Sequence, residues 1–219
     1  MKSLGANDKA ISALTAASSL ADTDVLPIVN GGSTKSVTLN VLDAYIESRG
    51  RVNNASVTTP GAGFASDTYL VGSSVAIPNG RLQAKSMYRC KFSVTKTAAG
   101  IAAPIITVRI GTAGSTADTS RGALTFAAQT AAIDQGFFEI FCTWRTVGSG
   151  TTAVLQSMGT LSHALSITGL STDVTGMKTA TSAGFDSTTS GSIIGCSVNG
   201  GTSAAWTIAL VQAELYNLA

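Results

Sequence analysis

His163 is the only histidine in the chain, so imidazole-based proton transfer has a single candidate. It alternates with Leu161 and Leu165, the spacing of a strand face, and no serine stands in a G-x-S-x-G elbow that would give it a nucleophile to activate. Cys90, Cys142 and Cys196 are odd in number, lie roughly fifty residues apart and include no C-x-x-C pair. All three fall in apolar strand-like runs, where a free thiol behaves as a small hydrophobe, so buried reduced cysteines are expected. No H-x-x-H or D-x-D-x-D-G pattern is present. Asp118, at the end of Gly111-Thr112-Ala113-Gly114-Ser115-Thr116-Ala117-Asp118, is expected to cap a turn, with cation binding through loop carbonyls as the other use of that spacing. Gly31-Gly32-Ser33-Thr34-Lys35 lacks the G-x-x-x-x-G-K-[ST] frame of a phosphate loop. A hydrolase acting on polysaccharide needs two carboxylates, which here means Glu139 meeting Asp134 or Asp173 in space. Arg81, Lys85, Arg89, Lys91 and Lys96 form the one local excess of positive charge, suited either to an anionic surface or to a strand's solvent face guarded by edge lysines. The expectation is a protein without catalytic residues, metal or cofactor.

Composition narrows the partners. The 219 residues carry 14 basic and 12 acidic side chains, and 12% charged is about half of what a soluble domain usually has. Serine (26) and threonine (29) take up the difference with glycine (23). A net charge of +2 does not provide the clustered phosphate contacts of a nucleic-acid binder. No apolar run approaches the roughly 20 residues of a membrane span, and residues 1–24 hold no signal-peptide core, so a soluble chain is expected.

Charge is uneven along the chain. Residues 1–51 hold 10 of the 26 charges, and a polar, turn-rich stretch follows, which predicts an N-terminal unit at 1–51, a linker and start of the next domain at 52–80, and a domain at 81–219. In the first unit Ile11 and Leu14 open a short helix stopped by Asp22, Asp24 and Pro27. Val25–Val29 and Ser36–Thr38 then form a hairpin about Asn30-Gly31, and a helix with Leu39, Leu42, Tyr45 and Ile46 on one side follows Thr38 as its N-cap. A hairpin and a three-turn helix are marginal alone, so this unit should need a partner surface.

The rest reads as strands. Phe138, Ile140, Cys142 and Trp144 alternate with Glu139, Thr143 and Arg145, and Tyr88, Cys90, Phe92 and Val94 alternate with Arg89, Lys91 and Ser93. Further strands are expected at Ile105–Ile110, Thr152–Ser157, Leu161–Thr168, Ser192–Val198 and within Ala204–Leu218, with a long loop at Ser171–Ser192. In the last strand Gln212 and Glu214 follow on the Trp206 face, so either that face leaves the core or a bulge resets it. The fold class is mainly β: an antiparallel β-sandwich, jelly-roll-like, with a small N-terminal hairpin-plus-helix anchor.

The order Ile11-Ser12-Ala13-Leu14, then Asp24-Val25-Leu26-Pro27-Ile28-Val29, then Gly31, Thr34 and Val37-Thr38-Leu39 up to Leu42 resembles an N-terminal segment of many tailed-bacteriophage structural proteins. Val108 through Thr119, Phe137-Phe138-Glu139-Ile140 and Thr143 through Gly148 look like the jelly-roll knobs of small phage fibre, head-fibre and capsid decoration proteins. The resemblance implies a homotrimeric, non-enzymatic virion protein assembled in the bacterial host cytoplasm. It would be anchored to capsid or tail proteins through Ile11, Leu14, Leu20, Leu26, Pro27, Ile28, Val29, Leu39 and Leu42. A capsid decoration or head fibre is the first expectation. A short tail fibre, or a receptor- or glycan-binding knob using Tyr69, Phe126 or Phe185, is the alternative. Neither nucleic acid nor membrane insertion is expected.

Overall fold

The structure, a computed structural model, describes residues 25–30, 33–39, 41–42, 51–54, 61–174, 176–202 and 205–218. The chain divides into two compact units, Met1–Glu47 and Ser48–Ala219. In the first, β1 (Val25–Asn30) pairs antiparallel with β2 (Ser33–Thr38), the register closing at Asn30↔Ser33 across two glycines. The expected hairpin is thus present, with β2 three residues longer than its sequence pattern suggested. Leu39, Val41 and Leu42 are helical directly after it, where Thr38 was expected to cap a helix. Ile11, Leu14, Leu20, Tyr45 and Ile46 lie outside the described residues.

The second unit is an antiparallel sandwich. It opens with four short strands, β3 (Arg51–Asn54), β4 (Gly61–Gly63), β5 (Thr68–Tyr69) and β6 (Val75–Ala76). The long strands follow: β7 (Met87–Lys96), β8 (Ile105–Gly111), β9 (Thr119–Thr125), β10 (Asp134–Thr146) and β11 (Val154–His163). The series ends with β12 (Met177–Thr181), β13 (Ile193–Asn199), β14 (Trp206–Ile208) and β15 (Val211–Tyr216). One sheet of eight strands runs β12-β11-β10-β7-β14-β4, with β15 also on β7 and β3 on β15. The other, of five, runs β5-β13-β8-β9 with β6 on β13. Residues 61–80, expected as linker and start of the knob, supply the buried Phe64, Leu70, Val75 and Ile77.

Period-two patterning explains the layering. Tyr88, Cys90, Phe92 and Val94 of β7 and Phe138, Ile140, Cys142 and Trp144 of β10 are buried, facing Ile106 and Val108 of β8, Leu124 of β9 and Cys196 and Val198 of β13. Phe138 stacks on Phe92 at 5.2 Å and on Trp206 at 5.6 Å, and meets Phe126 edge-on at 5.0 Å. Each such ring stabilises by about 2–3 kcal/mol through burial, so this aromatic stack anchors the two sheets.

Two strand expectations are corrected, and one left between two alternatives is decided. Thr152–Ser157 and Leu161–Thr168 are not two strands: Val154–His163 is one ladder against β10, because Ser157 and Gly159 take inward positions that look like breaks in sequence but fit beneath the facing sheet. Residues 164–170 leave the sheet. Ser171–Ser192 is not a single loop, since Met177–Thr181 adds an edge strand whose open edge tolerates its polar residues. The C-terminal run is interrupted at Ala209-Leu210, so Trp206 and Ile208 and then Val211, Ala213 and Leu215 all point inward, and Gln212 and Glu214 turn outward. Ser93 holds this reset, its Oγ accepting from Leu210 N–H at 3.1 Å.

Candidate interaction surface

The residues singled out for chemistry separate by strand parity. Lys96 and Asp134 are cross-strand partners at the ends of β7 and β10, and both point inward with His163 from the end of β11. His163 Nδ1 lies 2.6 Å from Asp134 Oδ2. The same carboxylate accepts Gln135 N–H at 2.8 Å, Leu170 N–H at 3.0 Å and Leu165 N–H at 3.2 Å. Burial alone would push the Asp134 carboxyl up, but the bonds from Leu170, His163, Gln135 and Leu165 together hold it below the usual carboxylate range. Gly169, at φ +80°, passes so close that a Cβ there would sit 2.3 Å from Asp134 Oδ2. Lys96 is fully buried, its Nζ donating to the carbonyls of Ala98, Thr130 and Ala132. Desolvation pulls its pKa down, and the nearby Asp134 charge opposes that. His163, expected as a plain strand-face residue, is therefore one half of a buried pair that pins the 164–170 loop. Lys96 is neither an edge guard nor part of a basic patch, since β7 is a central strand.

The remaining candidates are also committed elsewhere. Glu139 and Asp134, five residues apart on one strand, face opposite sides of the sheet, and Glu139 pairs with Arg89, Asp134 with His163 and Asp173 with Lys178. The carboxylates of a glycosidase are thus not brought together. Asp118 accepts Ala113 and Gly114 N–H at 2.9 and 2.8 Å, the capped turn expected of it. All three cysteines are buried and free, and desolvation raises the Cys142 thiol while the neighbouring Cys196 and desolvation raise Cys90. Among the described residues no group of three His, Cys, Asp or Glu is placed to hold a metal ion. Phe126 and Phe185 are core residues, the second with the Arg121 guanidinium 4.4 Å above its ring, and Tyr69 is half-buried with its hydroxyl near Ser74. None of the three is the exposed aromatic platform that a sugar would need.

What the sheet does present is its outer face. Arg89 and Lys91 of β7 stand between Glu139 of β10 and Glu214 of β15, in the registers Glu139↔Lys91 and Glu214↔Arg89. The Arg89 guanidinium pairs with Glu139, which raises its pKa, and lies 5.3 Å from the centre of the Phe141 ring. Lys91 Nζ lies 4.3 Å above Phe137. Met158 of β11 sits opposite Phe141, so the row runs Met158, Phe141, Arg89, Glu214. Toward the loop end, a shallow hollow of about 350 Å³ over Ser93, Thr95, Phe137 and Ser162 is followed by one of about 240 Å³ beside Ile133 and Leu165. Ile133 is 67% exposed, an unusual setting for so large an apolar side chain. Phe137 and Phe141 share parity with Glu139, and two phenylalanines on a solvent-parity face are the sequence signal of this surface. At the opposite end, a hollow of about 280 Å³ lined by Ile77, Pro78, Asn79, Leu82, Val147 and Thr188 contains no titratable group.

No known protein family and no curated protein matches the chain. Among solved structures it is similar to one described as the structure of infectious bursal disease virus Gt strain, at 9% identity over 90% of this chain and 48% of that chain, with a TM-score of 0.22. It is also similar to the Gx strain structure, at 10% identity over the same shares, with a TM-score of 0.19. The chain spans about half the length of these matched chains, and overlaps this shallow leave the functional reading to its own geometry.

Proposed function

We propose that the protein is a structural component of a tailed-phage particle: a homotrimeric projection whose N-terminal unit docks on the virion and whose sandwich is displayed outward. The observation that carries this reading is the hairpin of the first unit. A two-stranded ribbon does not bury enough surface to stand alone, yet Val25 and Val41 are more than half exposed and Leu26 more than a third. Apolar side chains left open on so small a unit fit a segment that gains its stability from a docking partner. The same residues lie in the segment that resembles phage virion anchors. The engagement of Glu139, Asp134, Asp173 and His163 in pairs of their own favours a structural over a catalytic role. A capsid decoration or head fibre remains the preferred position, with a short tail fibre as the alternative.

Deletion of residues 1–50 tests the anchor. The truncated protein should unfold cooperatively at a Tm close to that of the full chain yet lose association with particles in a co-sedimentation assay. Full occupancy of particles by the truncated protein would sink the anchor assignment.

A further inference from the structure

We infer that copies of this chain pack against one another through the outer face of the eight-stranded sheet, across β15, β7, β10, β11 and β12; the inference rests on the trimer reading above. The face has the composition of an interface core, with half-buried Phe137, Phe141 and Met158 around an arginine, and no strand of the sandwich lies over it. Its charges decide what can cover it. Arg89 and Lys91 balance Glu139 and Glu214, and the Arg89–Glu139 pair is made within the face. A strongly charged partner would leave half of these ions opposed, whereas copies set around a threefold axis place the cation stripe on β7 of one against the anion stripe on β10 or β15 of the next. A glycan is disfavoured on the same grounds of geometry: the rings that would stack on a sugar already lie under Lys91 and Arg89. The size is also sufficient. At about 4.8 Å between strands and about 3.3 Å per residue, these five strands of 5 to 13 residues present about 700 Å², so each protomer would bury about as much as one partner of a standard interface does. The exposed Ile133 and Leu165 extend the face at its loop end, because they line a hollow together with Thr95 and Gln135.

Sedimentation of the full chain and its variants tests this. The wild type should be trimeric at micromolar concentration, and Phe141→Glu should weaken self-association by roughly 100-fold or more, because it replaces a ring in the contact with a second carboxylate beside Arg89, which Glu139 already pairs. Thr160→Lys should act in the same direction; its new ammonium faces Glu139 across the strand pair, so the fold is kept even where Phe141→Glu fails to fold. Val71→Glu, on an exposed turn away from this sheet, should leave the trimer unchanged. A wild type that is monomeric overturns the trimer and this surface together. A trimeric wild type whose Thr160→Lys variant is equally trimeric overturns the surface alone, as does a Val71→Glu variant that dissociates just as readily. Glycan binding by the wild type that is lost in a still-trimeric Phe141→Glu protein assigns the face to a sugar instead and also overturns it.

Discussion

Two charged clusters stand on the same strands and do opposite things. Lys91 and Lys96 are five residues apart on β7, as are Glu139 and Asp134 on β10, and an odd separation along a strand sends each pair to opposite faces. The inward cluster of Lys96, Asp134 and His163 is desolvated, meets backbone groups at every turn and fixes where three loops begin. The outward cluster of Arg89, Lys91, Glu139 and Glu214 keeps contact with water and lies over aromatic rings. Both clusters set basic against acidic side chains; burial decides that one is a staple of the fold and the other a surface in contact with water.

The comparison is broken most directly at Asp134. Replacing it with alanine leaves the N–H groups of Leu165 and Leu170 and the ring of His163 without their acceptor in a dry site. The expected loss is about 3–5 kcal/mol, a fall in Tm of roughly 10 °C or more for a domain of this size. Asp134→Asn, which keeps one acceptor, should lose less. Thermal unfolding within a degree of wild type for Asp134→Ala would mean that the inward cluster is no staple at all.

Acid should act on the same cluster. An unfolded aspartate titrates near 3.9 and Asp134 in the folded chain titrates lower, so its stabilisation is complete above about pH 4 and lost as pH falls through the folded value. The gap in Tm between wild type and Asp134→Ala should therefore narrow as pH falls below about 4. A gap that instead persists unchanged to pH 2 would show that the charge of Asp134 is irrelevant and that only its shape counts.

How much of this was legible in the sequence follows from what each signal measures. The core strands were readable because Tyr88, Cys90, Phe92 and Phe138, Ile140, Cys142 alternate with polar residues, and alternation reports burial directly. The Ala209-Leu210 reset was readable as one of two alternatives, since Gln212 and Glu214 broke the Trp206 pattern. β12 was not readable, because an edge strand of Lys178, Thr179 and Thr181 has the composition of a loop and becomes a strand only through pairing with β11. Nor was the Asp134–His163 pair: the two residues are 29 apart, and only the hairpin register that sets Gly136 opposite His163 brings them together. The outer face is half visible in the sequence: its charges stand out as a cluster, while Phe137 and Phe141 merge into the apolar run of β10.

The smallest effect on folding sharpens the comparison most. Arg89 is 41% exposed, so solvent screens its pair with Glu139, and Arg89→Met in an isolated subunit should change stability by no more than about 1 kcal/mol. Under a second copy the same substitution takes the paired guanidinium from the Glu139 carboxylate in a dehydrated contact and leaves Lys91, held over Phe137, across the strand from it, so association should weaken by more than folding does. The double variant Arg89→Met, Glu139→Gln removes both ions and should recover much of that association. Melting and sedimentation on the three proteins read the two effects separately. If Arg89→Met instead lowers stability as much as Asp134→Ala while the trimer persists, the outward cluster is a second staple, and the division between the two faces of the sheet collapses.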